Sequence, residues 1–415
     1  MTTAEIITIG TEIVLGQVVD TNAPYIAKAL AERGIRACFR TSLCDDKEFL
    51  KSALKIATER TDLIITTGGL GLTANDITRE AVSEFSGVHL IPGNEVSIHI
   101  RDVMGKQPVH GVNEYSKQML VPEGALVIIN DNGTAAGFAF CHNQKIIVCL
   151  PGVPGEMQSM LRKFLEVSDL RYKTEEGCTL SRDLHTFGIS EIVTEGVVKR
   201  CLFSDYRVKT MTLVHDGIIT INLLSNATTR RDAVKLLDTA EHNIRQGLGF
   251  AVFGVGDETL EYSVAMLLKQ RKKTIAVAES CTGGMVSDKL TNIPGISDYF
   301  IEGIVAYSNR AKIERLGVPE RLITKHGAVS WQVAKAMAEG IRERASADIG
   351  IGITGIAGPG GGTERKPVGL VYLGVAGDGA GEVKECRFPG SRISIKKFST
   401  NTALNMVRLK LLHII

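Results

Sequence analysis

Between Ala276 and Gly284 the chain reads A-V-A-E-S-C-T-G-G, a short apolar run that delivers a serine, a cysteine and a threonine into a glycine pair. The run predicts a strand over 274–279, and the residues after it predict a helix over 283–291. Ser280 and Cys281 are candidate nucleophiles. Thr282, Gly283 and Gly284 would bring the amides of a helix N-terminus beside them, a setting that suits a phosphate or a developing oxyanion. A thiolate there would also be activated, so residue chemistry alone leaves the two nucleophiles nearly even. Each has a plain structural use as well, Ser280 as an N-cap and Cys281 as a small buried hydrophobe.

A second glycine-rich turn, T-T-G-G-L-G-L-T-A-N-D-I-T from Thr66 to Thr78, follows an apolar strand and precedes a helix. Gly68, Gly69 and Gly71 let backbone amides approach an anion closely. Asp76 beside such a cradle could hold a divalent cation that bridges to phosphate, or it could cap the helix over 77–86. Three further polar turns are candidates for the same edge: Gly10-Thr11-Glu12, Asn132-Gly133-Thr134, and P-G-V-P-G-E-M from Pro151 to Met157. Together they describe one nucleotide-sized crevice, with Asn132 and Thr134 as ligand contacts and Glu12 beside Asp76 as a metal ligand.

The elements that must position these turns fall into three segments. From residue 4 to about 165, strands over 5–10, 35–42 and 63–67 alternate with helices over 22–33, 46–59 and 76–86, which predicts a parallel sheet covered on both faces. Its ligand edge lies at the carboxyl ends of the strands. Residues 168–255 predict a small α+β module: a helix over 190–200, a hairpin turning at His215-Asp216-Gly217, and a helix over 230–247. From 256 to 415 a second α/β unit is expected. Its helices run over 258–269, 283–291, 330–345 and 393–412, and its strands over 274–279, 300–307, 349–354, 368–376 and 381–388. The turn from Gly355 to Gly362, with Gly360 and Gly361, has the backbone freedom to bind phosphate or to close a tight hairpin. Arg392 and Lys396 would add positive charge there, or form a solvated face.

With 48 basic and 46 acidic residues and a formal net charge of +2, no global field draws the chain to nucleic acid or to an anionic membrane. The cluster from Lys269 to Lys273 reads as a solvated helix end favoured by the macrodipole. Eight cysteines are scattered with no C-x-x-C pair and no zinc-finger spacing, as expected of reduced thiols. No apolar run approaches the ~18 residues of a membrane span, and the first residues lack a signal core. A cytoplasmic location is expected.

From end to end the chain resembles the bacterial CinA (competence/damage-inducible) family. The first segment is similar to its molybdopterin-binding-like domain, a three-layer α/β sandwich, through G-T-E-I-V-L-G-Q-V-V-D-T-N at 10–22, G-G-L-G at 68–71, K-Q at 117–118 and N-G-T-A-A-G at 132–137. The resemblance implies metal-dependent hydrolysis of ADP-ribose to AMP and ribose 5-phosphate, with a divalent metal such as Mg²⁺. The family reads G-G-L-G-P-T-x-D-D-x-T where this chain has Leu72 for the proline and Asn75 for the first aspartate. Ala136 and Gly155 likewise replace an expected proline and serine. Loss of one anionic ligand and of a fixed φ predicts ADP-ribose binding with reduced or lost hydrolysis.

The last segment is similar to the family's nicotinamide-nucleotide amidase domain through E-S-C-T-G-G at 279–284, G-I-V-A-Y-S-N at 303–309, K-I-E-R-L-G-V at 312–318, G-A-V-S at 327–330 and T-G-I-A-G-P-G-G-G-T at 354–363. That implies conversion of nicotinamide mononucleotide (NMN) to nicotinic acid mononucleotide and ammonia, without a cofactor. Ser280 holds the family's nucleophile position. Lys312 is the implied base, Tyr307 a proton relay and Thr354 a donor to substrate. A lysine base costs about 4.6 kcal/mol to neutralise at pH 7 from an unperturbed pKa of about 10.4, so Lys312 must be desolvated or crowded by a cation such as Arg310 or Arg315. A homodimer is typical of the family. Two other readings are a nucleotide-sensing adaptor linked to competence or DNA damage and, from fold likeness alone, a molybdopterin-handling protein.

Overall fold

The computed structural model describes residues 3–104, 117–167, 178–202, 207–379 and 381–414. It gathers into two compact units: Met1–Ser181 with Ser225–Val234, and Arg182–Leu224 with Lys235–Ile415. The short sheet of the middle segment thus belongs largely to the same unit as the last domain.

The first unit begins β1 (Thr3–Ile9), α1 (Thr11–Val14), α2 (Asn22–Ala31), β2 (Arg36–Leu43), α3 (Lys47–Arg60), β3 (Leu63–Thr67) and α4 (Thr78–Ser86). It continues through β4 (Leu90–Pro92), α5 (Asn94–Met104), β5 (Leu120–Pro122), β6 (Leu126–Ile128), β7 (Gly137–His142), β8 (Lys145–Leu150) and α6 (Pro154–Val167). Six strands run in the order β2-β1-β3-β8-β7-β6. The first four are parallel and the β8-β7-β6 edge is antiparallel. Alternate residues of β1 divide between two cores: Ala4 and Ile6 pack with α2 and α6, while Ile7 and Ile9 pack with α3 and α4. This alternation along strands buried on both faces makes a three-layer sandwich.

The second unit opens with β9 (Cys178–Phe187), α7 (Glu191–Cys201), β10 (Val208–His215), β11 (Ile218–Ala227), α8 (Arg230–Leu248) and β12 (Val252–Val255). The four strands lie in the order β10-β11-β9-β12. The expected hairpin is present, its two-residue turn made by Asp216 and Gly217 at φ of 50° and 81°, the left-handed pair that a tight hairpin requires.

Next come α9 (Leu260–Arg271), β13 (Ile275–Glu279), α10 (Met285–Thr291), β14 (Phe300–Val305), α11 (Asn309–Leu316), α12 (Glu320–His326) and α13 (Trp331–Arg344). The chain ends in β15 (Ile349–Gly355), β16 (Leu370–Ala376), β17 (Glu382–Arg387) and α14 (Arg392–Leu411). The sheet order is β14-β13-β15-β16-β17, parallel through β15 and antiparallel beyond. Ile275 and Val277 face the core shared with α9, α10 and α14; Ala276 and Ala278 face α13. On that second face Gly350 and Gly352 lie so close to the Ala338 and Ala334 carbonyls that an added Cβ would collide with rigid backbone. The I-G-I-G-I pattern of β15 is therefore the imprint of α13.

Candidate active site

Ser280 follows the last residue of β13, where the strand's carboxyl end meets the turn into α10. Gly283 and Gly284 sit at φ of 64° and 94°, left-handed values that a side chain resists. The amides of α10 do not face a ligand, contrary to the sequence expectation. Glu279, fully buried, accepts hydrogen bonds from Gly284 N (3.0 Å), Val286 N (3.2 Å), Ser287 N (2.9 Å) and Ser287 Oγ (2.8 Å). The chain's own carboxylate thus satisfies the first turn of the helix, and Ser280 is not its cap.

Lys312 reaches the same point from α11, a helix the sequence reading missed. Its signals were local: Ser308 caps it by accepting from Ala311 N at 3.0 Å, and Gly317 closes it at φ 65°. Helical spacing puts Lys312 and Leu316 on the buried face, whereas Arg310 and Glu314 pair at 2.7 Å on the outside. The Lys312 ammonium, on a residue 2% exposed, contacts Ser280 Oγ at 3.1 Å, Ala306 O at 2.9 Å and Tyr307 O at 3.3 Å. Burial holds its pKa below the ordinary lysine value, opposed by the Cys281 sulfur. Burial, rather than the charge of Arg310 or Arg315, is the cause. No carboxylate pairs with it among the described residues.

Cys281 is 6% exposed and packs in the core. Burial pushes its thiol up to about 12, against the lowering effects of its own backbone amide and of Lys312. A thiol so placed stays protonated near neutral pH and is a poor nucleophile. Ser280 and Cys281 open onto a cleft of about 270 Å³ that Tyr307, Lys312, Thr354 and Arg392 also line. Gly360 and Gly361 form part of its wall; the glycine-rich segment joins the antiparallel pair β15 and β16 and faces the cleft as well. Thr282, Gly283 and Gly284 do not line it.

Two placements differ from expectation. Thr354 Oγ1 donates to Ala328 O at 2.8 Å, so it turns lone pairs, not a proton, toward the cleft. Tyr307 lies beyond the end of β14, and its hydroxyl accepts from Arg392 at 2.8 Å. The other arm of that guanidinium holds Gly358 O.

In the first unit, side chains outside the predicted set draw the polar turns to one sheet edge. Asn22 Nδ2 donates to Thr67 Oγ1 (3.0 Å) and Gly152 O (2.7 Å). Arg79, almost wholly buried, donates to Leu70 O at 2.9 Å and Ala136 O at 3.2 Å, joining the Gly68–Gly71 loop to the Asn132–Gly137 turn. Burial pushes this guanidinium down to about 10. Asn132 is exposed and Thr134 half-buried in that turn.

Asp76 neither caps α4 nor turns outward. Its carboxylate accepts from Gly71 N (2.7 Å), Thr73 N (2.8 Å) and Thr73 Oγ1 (2.6 Å). Burial would raise its pKa, but these bonds and the Lys117 charge hold it below the usual carboxylate range. Helix α4 therefore starts at Thr78, two residues later than expected. Glu12 lies exposed on α1, and among the described residues no three His, Cys, Asp or Glu side chains come together. This donor set does not fit a cation held by Asp76 and Glu12.

Fold and site together define a molybdopterin-binding-like α/β domain followed by an α/β domain with a buried serine–lysine pair. A family model for a probable molybdopterin binding domain matches residues 5–170, and one for the CinA C-terminal domain matches residues 257–411. A "Putative competence-damage inducible protein" of Caldicellulosiruptor bescii is 42% identical over 409 residues, 99% of each chain. A "CinA-like protein" of Dictyoglomus thermophilum is 39% identical over 410 residues, again 99% of each. Among solved structures, the competence/damage inducible protein CihA of Agrobacterium tumefaciens is 39% identical over 37% of this chain and 93% of its own, with a TM-score of 0.36. The chain belongs to the CinA family of competence/damage-inducible proteins. Among the described residues no helix is long and apolar enough to cross a membrane.

Proposed function

We propose that the second unit hydrolyses the carboxamide of NMN, giving nicotinic acid mononucleotide and ammonia. One observation carries the reading: a desolvated lysine with no carboxylate partner among the described residues, 3.1 Å from a serine hydroxyl at a cleft. In the neutral amine, Ala306 O and Tyr307 O accept the two hydrogens and the lone pair faces Ser280 Oγ. Lys312 takes the serine proton as Oγ attacks the carboxamide carbon. It returns the proton to nitrogen as the C–N bond breaks and ammonia leaves. Water then attacks the acyl-serine, gives a proton to Lys312, and the acid departs as Oγ is reprotonated. Tyr307, its oxygen engaged by Arg392, keeps its own proton to relay. The test is ammonia release from NMN with a chelator present; a parent protein that releases none refutes the assignment.

For the first unit we infer a crevice that binds ADP-ribose and hydrolyses it slowly. The convergence of the polar turns through Asn22 and Arg79 supports binding. The engagement of Asp76 within its own loop, with Asn75 beside it, argues for slow hydrolysis. Both ligands are ribose phosphates derived from NAD breakdown. Titration calorimetry with ADP-ribose, beside AMP release with a divalent metal, tests the two halves separately.

A further inference from the structure

We propose that the cavity where α9 and α14 meet β12 binds a small aromatic carboxylate, with Arg408 as the group that receives the anion. This hollow of about 400 Å³ shares no lining residue with the Ser280 cleft. Phe250, Phe253 and Tyr262 give it three rings, and Met266, Leu267 and Leu412 extend its apolar wall. Phe250, Tyr262 and Met266 stand exposed to solvent. Large apolar side chains left in water around one concavity mark a binding surface rather than a core.

Arg408, on α14, is only 3% exposed, yet it lines this cavity. Its Nε donates to Asn405 Oδ1 at 3.1 Å, one turn earlier on the same helix, and its Nη2 donates to Phe250 O. Both acceptors are neutral. Among the described residues Nη1 makes no hydrogen bond and no carboxylate pairs with the guanidinium. Burial pushes the group down to about 10, with no charged neighbour opposing it. Glu258 also lines the cavity, but its carboxylate accepts from Val255 N at 3.0 Å in its own turn. A buried cation without a counter-charge is costly. An arriving carboxylate supplies the missing charge and takes the Nη1 donor, while its ring packs among the three rings of the wall. One free nitrogen in an apolar hollow suits a single negative charge; a phosphate dianion would leave most of its oxygens without donors.

The experiment is titration calorimetry on the full chain at neutral pH with phenylacetate, with phenethyl alcohol, which keeps the ring and loses the charge, and with cyclohexylacetate, which keeps the charge and loses the ring. The parent binds phenylacetate at least about tenfold more tightly than the alcohol, the worth of a charge-assisted bond, and more tightly than the cyclohexyl acid. Arg408→Met brings phenylacetate and the alcohol to equal affinity, whereas Tyr262→Ala weakens both and keeps their ratio. Should Arg408→Met fail to fold, Met266→Trp decides the matter: it fills the hollow from an exposed position and abolishes phenylacetate binding. The proposal is overturned by a parent that binds no phenylacetate, or binds it no better than the alcohol or the cyclohexyl acid. Undiminished binding in Met266→Trp, or a gap between acid and alcohol that survives in Arg408→Met, overturns it equally. No arm reads ammonia release, so the outcome is independent of the amidase reading.

Discussion

The Lys312 ammonium meets Ser280 Oγ at 3.1 Å, and two backbone carbonyls occupy its remaining directions. That arrangement divides the roles of two adjacent residues. Ser280→Ala is expected to lower ammonia release from NMN by about 10³-fold or more, while Cys281→Ala costs only a few-fold, through packing. Iodoacetamide leaves activity intact because the thiol sits near 12. A Cys281→Ala variant as inactive as Ser280→Ala would move the nucleophile to sulfur.

Lys312 also sets the pH response. Its pKa in the fold lies below the ordinary lysine value of 10.5, so between the folded and unfolded values the unfolded chain binds the extra proton and stability rises with pH. Below the folded value both states are protonated and the cost of burying the charge is felt in full. Activity follows the same titration upward, since the neutral amine is the base. Lys312→Met is expected to abolish ammonia release and to remove the rise in stability. Thermal melts of parent and variant from pH 7 to 10.5 measure it, and a slope that survives in Lys312→Met excludes this lysine as its source.

Glu279 is the anchor of the serine turn. Glu279→Ala leaves three amides of α10 without a partner in the core and opens a cavity, a loss of about 2–4 kcal/mol. Glu279→Gln, which keeps the shape and one acceptor oxygen, loses less. Calorimetric scans of the two variants rank them. If Glu279→Ala melts with the parent, the carboxylate is not what holds the turn.

Much of this was legible in the sequence, and the rest was hidden for identifiable reasons. Largely apolar strands and capped amphipathic helices announce themselves by period, so both sandwiches could be read. Helix α11 could not, because its buried face presents a lysine where a hydrophobe is expected, leaving only Ser308 and Gly317 as marks. Glu279 was invisible for a related reason: a glutamate at a strand end reads as a solvent group until the helix that folds back over it is known. Arg79 and Asn22 act through backbone carbonyls far away in sequence, and no spacing rule reports such partners. The roles of Arg310 and Thr354 were misjudged because adjacency in sequence does not say which way a side chain points, and a hydroxyl's donor direction depends on a neighbour 26 residues away.

In the first unit the loop from Gly68 to Asp76 is closed on itself by three hydrogen bonds to one carboxylate. Leu72 and Asn75 stand exposed on that loop, where the family pattern has proline and aspartate. Converting both, Leu72→Pro with Asn75→Asp, stiffens the backbone and adds an anionic oxygen next to Asp76, whose own oxygens already have donors. The double variant is expected to release AMP from ADP-ribose at least about tenfold faster than the parent with Mg²⁺, and to lose that gain with chelator. Binding of ADP-ribose changes little, since Asn22 and Arg79 hold the turns together in both proteins. A parent already hydrolysing at the double variant's rate would mean that Asn75 and Leu72 do not limit turnover, and that the Asp76 loop opens to take a cation.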